Sequence, residues 1–556
     1  MPHPTIKIDG TSTQNLTYSC HKPMTTTTIV HPADPTLRAA LRLAAIFATI
    51  KLLLHFALTL YTQHLGYSYF RDEFYYIACG HHLAWGYVDH GPIVALQARL
   101  GEILFGDSLF AIRILSALAG AIMVFLGGII AWSLGGKRPA QALAMFGLIC
   151  CPQYIGLDGF LSMNSCEAMF WSFCLLAVIL IQRGYSARLW WTLLGISAGI
   201  GLLNKPSMAF FLVSLGAALL LTPQRKLLFT RYAALGIALL IVIALPNVLW
   251  QIHNHWPTLE FLRNGREGGK NTVLTPLQFC GVQLLNMNPL NALLWITGVV
   301  ALLRAKSIKA SQWLGVTYLV FFAIMFLMHA KDYYLSAIYP AYFAAGAIAW
   351  EHRFAASRSV QRDRIAAFPV FEAILLLSTI FILPLASPVL RPAEWVRYTT
   401  ATHLATKPTE TSDSGPLPQF FADRFGWDQQ YDIVSKAFHA LSPADQQRVC
   451  IFGGNYGDAG NIDFRNRLLH DTLPPALSGQ NSYWTWGTHN CDPEVSIAII
   501  SDSPEKIALK YNSVTLLGRP DANPYAMPFE RHRRIYLLRG RKPTAPFNWA
   551  DERFYY

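Results

Sequence analysis

A chain of 556 residues with 53% hydrophobic and only 14% charged side chains is short of charge for a water-soluble fold of that size, where about 25% is usual. Its 45 Lys and Arg against 33 Asp and Glu are spread through loops between apolar segments, a pattern set by the membrane rather than by nucleic acid, so nucleic-acid binding is excluded. Composition predicts an integral membrane protein with a water-soluble part.

Residues 1–36 are polar and Thr-rich and lack the apolar core of a signal peptide. Segment 37–60 is therefore expected to act as an uncleaved signal anchor, with Met24 an alternative start. Apolar segments matching the hydrocarbon thickness follow at 37–60, 108–134, 139–157, 164–181, 190–203, 208–221, 232–250, 277–303, 313–328, 335–350 and 365–390, which predicts about eleven transmembrane helices. One alternate set of short loops holds Lys137, Arg138, Arg183, Arg188, Arg225, Lys226, Arg231, Arg304, Lys306, Lys309, Arg353, Arg358, Arg362 and Arg364. The longer, opposite loops hold fewer: Arg71, Arg99, Lys205, Arg263, Arg266, Lys270 and Lys331. The positive-inside bias makes the first set cytoplasmic, places the N-terminus inside and, with an odd number of spans, puts residues 391–556 outside.

Directly after the first span, residues 69–92 read YFRDEFYYIACGHHLAWGYVDHGP. Asp72 and Glu73 stand where a membrane helix emerges into water, and acids at that depth are functional-site candidates by default. Segments 190–203 and 208–221 are each short of a full span, so the Asn204-Lys205-Pro206 turn is expected below the outer surface. Lys205 there faces a water-filled cavity or an anion, or snorkels to the interface. Asn164 and Glu167 share one helical face at i and i+3. The run His329-Ala330-Lys331-Asp332-Tyr333-Tyr334 closes another span on the same side, and the loop 253–275 adds His253, His255, Arg263, Arg266 and Lys270.

The segment from 391 onward reads as an extracytoplasmic α/β layer domain. Strands are expected at 448–452, 495–501, 513–517 and 534–538, and helices at 428–441 and 458–469. GGNYGDAG at 453–460 opens a helix after a strand, either presenting amides to an anion or forming a tight turn; without GxGxxG spacing the turn is favoured. Cys450 and Cys491 are the two cysteines of this part, and their pairing stays open.

One membrane face thus gathers carboxylates and cations. A carboxylate can take the proton of an attacking hydroxyl, Lys or Arg can stabilise charge on a departing phosphate, and a lipid tail held between helices fixes the reactants. Read from the residues alone, this is an enzyme or a transporter or flippase handling an anionic lipid; transporters place their sites near the midplane, whereas these motifs lie at outer helix ends.

The run at 69–92, with MNSCEAMFW, GLLNKPSMAFF, HWPTLEFL, HAKDYYLSAIYP, FADRFGWDQQY, NYGDAGNIDF and SGQNSYWTWG in that order, resembles a bacterial branch of the dolichyl-phosphate-mannose protein mannosyltransferase superfamily. It is similar to the glycosyltransferase family 39 and aminoarabinose transferase group, of the polytopic GT-C fold, from about residue 37 to the end. The resemblance implies hexosyl or pentosyl transfer from a polyprenyl-phosphate sugar donor in the bilayer to a protein, lipid or glycan hydroxyl at the outer face of the cytoplasmic membrane. It implies a transmembrane domain at 37–390, with a catalytic first outside loop at 61–107, and a separate domain at 391–556. Asp72 matches the family's first-loop aspartate and would be the general base, with Glu73 orienting it or the donor. Lys331, Tyr333 and Tyr334 match the motif near the lipid phosphate, with Lys205, Arg263 and Arg266 as further phosphate ligands. Tyr76, Asp89, His90, Asn164 and Glu167 would line the sugar or acceptor pocket; His90-Gly91-Pro92 departs from the family's polar residue followed by Pro-Pro, which leaves His90 without a matched role. Metal-independent chemistry is expected, a divalent cation at Asp72 and Glu73 remaining the alternative.

Overall fold

The computed structural model describes residues 35–270, 273–355, 361–404, 411, 415–520 and 523–556. The expectations for Met24 and its surroundings, and for Arg358, lie outside them. Each of the eleven apolar segments contains helix, from Pro35–His64 and Leu109–Ser133 to Gln361–Ala386. By length and composition six of these helices can cross a membrane, or seven if the bent pair Pro276–Asn286 and Pro289–Arg304 counts as one span. The protein is therefore a polytopic, multi-pass helical membrane protein.

The shortfall from eleven has local causes. Segment 139–157 splits into Arg138–Ile149 and Pro152–Leu157 because Pro152 cannot continue the upstream helix. Ala187–Asn204 and Ser207–Leu220 are separated where Lys205 adopts φ −155°, ψ 134°, the extended backbone that a following proline imposes. The bend of 101° falls at Asn288, which takes φ 70° immediately before Pro289. Segment 335–350 divides into a 3-10 turn, Asp332–Ile338, and Pro340–Ala355. In each case the helix axis stops at a proline, Pro152, Pro206, Pro289 or Pro340, a break that hydropathy averaged over a segment does not register.

Inside the bundle, Lys51 of Pro35–His64 is fully buried and pairs with Asp158 at 3.1 Å. A lone lysine in the first span would be costly, and its buried carboxylate partner removes most of that penalty.

The C-terminal part is built on a mixed sheet of five strands, β1 (Val449–Gly453), β2 (Ala476–Leu477), β3 (Asp492–Ile500), β4 (Tyr511–Gly518) and β5 (Arg534–Arg541), in the order β2-β1-β3-β5-β4. β1 runs parallel to β2 and β3, while β5 is antiparallel to β3 and β4. Four strands coincide with expected segments; β2, two residues long, is too short for any periodicity. Helices Trp427–His439 and Tyr456–Leu468 correspond to the two expected.

Cys450 and Cys491 form a disulfide across 41 residues, joining β1 to the residue before β3. In the loop-entropy picture a closure of 41 residues contributes about 4 kcal/mol. Non-reducing digestion should yield one linked peptide that reduction separates, and melting of this part should fall on reduction.

The sheet domain does not stand apart from the membrane region. Tyr69, Phe74, Tyr75, Ile77, Ala95 and Ile112 share one apolar core with Trp427, Tyr431, Ile451, Ile462, Ile497 and Ile535. The loop 61–107 is thereby clamped against the sheet domain, which fixes the residues around Asp72.

Candidate active site

The acidic motif lies in the first turn of helix Arg71–His81, where acids complement the helix dipole. Consecutive helical residues point about 100° apart, so Asp72 and Glu73 face different surroundings. Glu73 points inward and is fully buried. Arg113 donates to it from Nε (2.8 Å to Oε1) and Nη2 (2.7 Å to Oε2), and the Phe70 and Leu161 amides donate at 2.8 and 2.9 Å. Burial alone would raise the Glu73 pKa, but the charge and hydrogen bonds of Arg113 outweigh it and hold the carboxyl below its ordinary value. Glu73, expected to orient Asp72 or the donor, has its oxygens committed to Arg113 and to two backbone amides, which anchor the loop.

Asp72 keeps 28% of its side-chain surface exposed. Its Oδ1 accepts a 2.8 Å hydrogen bond from the Tyr456 hydroxyl, and Arg71 Nε lies 3.6 Å away. Arg71 is held in turn by Asp423 at 3.7 Å and by the rings of Tyr456 and Phe529. Burial, only partly offset by Arg71, pushes the Asp423 pKa up to about 7.

The helix bearing Tyr456 reaches this position through two glycines. A Cβ on Gly457 would sit 2.3 Å from Arg71 Cγ, and one on Gly460 would sit 3.0 Å from the Phe74 carbonyl carbon. The GGNYGDAG run is thus neither a plain turn nor an anion cradle. Asn455 and Asp458 cap the helix reciprocally, and the Tyr456 amide donates to Gln480 Oε1 at 3.1 Å. Its small residues serve close packing against the first-loop helix.

Asp89 accepts a 2.7 Å hydrogen bond from Tyr75, whose hydroxyl also meets Ser482 at 2.8 Å. His90 is 3% exposed, stacks on Tyr87, donates from Nδ1 to the Gly91 carbonyl and faces Cys79 Sγ with Nε2. Burial lowers its pKa despite the opposing charge of Asp89, which favours neutral imidazole. His90 is packed inside the loop against Tyr87, Cys79 and Gly91. Gly91 beside it approaches the Leu203 carbonyl so closely that a Cβ would lie 2.0 Å from that oxygen. The loop 61–107 is pressed onto the helix end that leads into Lys205.

Lys205 is 7% exposed and donates to Asn164 Oδ1 at 2.9 Å and Glu167 Oε2 at 2.8 Å. Ser207 donates to the other Glu167 oxygen. The ammonium also lies 4.4 Å from the Tyr334 ring centre and 5.2 Å from that of Tyr333, a double cation–π arrangement. Snorkelling is therefore replaced by an internal ion pair. Glu167 balances Lys205, and any pocket role it has is secondary to that pairing.

Tyr76 is buried beside Tyr75 and His90. Its phenol is 7% exposed, edge-on to His90 at 5.2 Å. Burial first, then the charges of Asp72 and Asp89 and the phenols of Tyr456 and Tyr333, raise its pKa well above the ordinary value.

Other expected residues gather less fully. Lys331 is half-buried and starts the 3-10 turn carrying Tyr333 and Tyr334, its carbonyl accepting the Tyr334 amide. Arg263 and Arg266 stand on the exposed face of helix Pro257–Glu267, Arg263 pairing with Glu267 at 3.8 Å. Among the described residues no contact joins either arginine to Lys205 or Tyr333, so their expected phosphate role is not matched by position. Among the described residues, no three His, Cys, Asp or Glu side chains lie together as metal ligands.

Comparison with known proteins agrees with the motifs. The profile of the dolichyl-phosphate-mannose-protein mannosyltransferase family matches residues 89–250. That stretch takes in Asp89, Asn164, Glu167 and Lys205 and begins after Asp72. Two undecaprenyl phosphate-alpha-4-amino-4-deoxy-L-arabinose arabinosyl transferases of Pseudomonas fluorescens are similar. Transferase 1 of strain Pf0-1 is 31% identical over 172 residues, covering 30% of this chain and 29% of the relative. Transferase 2 of strain ATCC BAA-477 / NRRL B-23932 / Pf-5 is 34% identical over 167 residues, covering 28% of each. The match spans less than a third of these relatives' length. In fold the agreement is wider: ArnT from Cupriavidus metallidurans, crystallised bound to undecaprenyl phosphate, superposes with TM-score 0.57 at 16% identity over 90% of this chain and 99% of that one.

Proposed function

We propose that this chain is a membrane glycosyltransferase that moves a sugar from a polyprenyl-phosphate donor, of the undecaprenyl kind, onto an acceptor hydroxyl at the outer face of the cytoplasmic membrane. The observation that carries the reading is the packing of the loop bearing the partly exposed Asp72 onto the helix end at Leu203, through Gly91, next to the cationic, aromatic cluster of Lys205, Tyr333 and Tyr334. Similarity to aminoarabinose transferases favours a pentose, and favours a lipid acceptor over a protein or a glycan.

The step balances as a single transfer. The acceptor oxygen forms a bond to the anomeric carbon of the sugar while the bond from that carbon to the phosphate oxygen breaks, its electron pair leaving with the phosphate. The acceptor proton passes to the Asp72 carboxylate. Lys205 and Lys331 lie where cationic groups could meet the charge growing on the phosphate, and Tyr333 and Tyr334 wall that side. Lys205 already balances Glu167, so its charge would be shared between carboxylate and phosphate. Tyr76, Asp89 and Asn164 are the proposed pocket residues. Metal-independent chemistry fits the commitment of Glu73 to Arg113, which leaves Asp72 without its neighbour as a second oxygen ligand.

In this reading the chain threads the membrane about eleven times, N-terminus inside and residues 391–556 outside, with broken segments completing the crossings. A transporter would need its charged groups near the midplane; Asp72 and its loop pack instead against a sheet domain. The test compares glycolipids and glycoproteins of deletion and wild-type cells by mass spectrometry. A species heavier by one sugar residue is expected only in wild type; identical profiles would count against transfer.

A further inference from the structure

We propose that Tyr456, on the C-terminal sheet domain, is a positioning residue for Asp72, so that the sheet domain completes the transfer site. This inference rests on the transferase reading above. The Tyr456 hydroxyl donates to Asp72 Oδ1 at 2.8 Å, and the second contact of that carboxylate, Arg71 Nε at 3.6 Å, falls on the same oxygen. With Oδ1 held, the acceptor proton is directed to Oδ2. A free aspartate rotates about χ1 and χ2, whereas a carboxylate tethered at one oxygen presents the other in one place, and misplacement of a reacting group by about 1 Å can cost 100-fold in rate.

Tyr456 is well placed to hold that position. It is 9% exposed, stacks on Tyr75 with ring centres 4.6 Å apart, and lies under the Arg71 guanidinium at 5.4 Å. Its backbone begins the helix Tyr456–Leu468, seated against the first-loop helix through Gly457 and Gly460. Donor and acceptor of the hydrogen bond thus belong to two helices in direct contact. The same domain holds the second loop acid, since Ser482 meets the Tyr75 hydroxyl that donates to Asp89. Nothing in the transfer step itself demands a separate sheet domain; the two tethers supply a reason for one.

The test uses membranes from deletion cells complemented with the full chain as wild type, Tyr456→Phe or Asp72→Asn at matched abundance. It follows the product that wild type restores, together with undecaprenyl phosphate affinity and thermal midpoint of each purified protein. Tyr456→Phe keeps the ring and its stacking and removes only the donor. It is expected to lower kcat about 10- to 100-fold, with donor KM, undecaprenyl phosphate affinity and thermal midpoint unchanged. If Tyr456→Phe turns over at the wild-type rate while Asp72→Asn is inactive, the positioning role is overturned and the transferase reading stands. A rate loss that merely follows a lower thermal midpoint overturns it as well. If wild type restores no glycosylated product, or Asp72→Asn restores it fully, the underlying reading fails and this inference fails with it.

Discussion

Asp72→Asn should abolish sugar transfer, with a rate loss of about 100- to 10,000-fold, the range that a positioned general base contributes. The amide is nearly isosteric and can still accept from Tyr456, so insertion, folding and donor-lipid binding should survive. That separation is what makes the substitution informative. Asp72 is partly exposed, and its replacement leaves no buried charge stranded. The measurement is the initial rate of product formation in membranes alongside undecaprenyl phosphate affinity of the purified protein. Undiminished turnover would remove Asp72 from the base role, and equal loss of lipid affinity would recast it as a binding residue.

The adjacent acid should behave in the opposite way. Glu73→Ala strands Arg113, which is 2% exposed and has Glu73 as its ion-pair partner, and breaking such a buried pair costs about 3–5 kcal/mol. A large fall in thermal midpoint and in the folded, inserted fraction is expected. The double change Glu73→Leu with Arg113→Met should recover only part of it. The Phe70 and Leu161 amides that donate to Glu73 would still lack an acceptor, at about 1–3 kcal/mol each. The pH dependence follows from the sign of the shift. Because Glu73 titrates below its ordinary value in the folded protein, its contribution is fully present above the unfolded Glu pKa and is lost as pH falls through the lowered folded value. Wild type should therefore lose more stability on acidification than Glu73→Ala does. A Glu73→Ala protein melting like wild type would remove the anchor role.

These two expectations show where sequence reading stops. In the run YFRDEFYY the two acids look equivalent, and only the helical turn of about 100° per residue, set against a surrounding that is dry on one side, separates the partly exposed carboxylate from the sealed one. The Asn204-Lys205-Pro206 turn was legible as sunk below the surface because its flanking segments are too short to span, and Pro206 does break the helix there, but the sequence left open whether the lysine faces inward or snorkels. Its partners were half legible: Asn164 and Glu167 stood out by their i, i+3 spacing, but nothing local tied them to Lys205 across 41 and 38 residues. Arg263 and Arg266 stood out by charge alone, and charge on an amphipathic surface helix is more often solvated than recruited.

The sequence alone determined that this protein lives in a membrane, where its apolar helical segments lie, and four of the five strands of its C-terminal sheet. Those properties are local, since hydropathy, proline and alternation act over a few residues. Only the tertiary structure decided that the first loop and the sheet domain share one core, that Glu73 is sealed by Arg113, and that a tyrosine 384 residues from Asp72 holds its carboxylate. Such pairings are selected by the burial of distant surfaces against each other. A partner at that separation leaves no periodic trace in the chain.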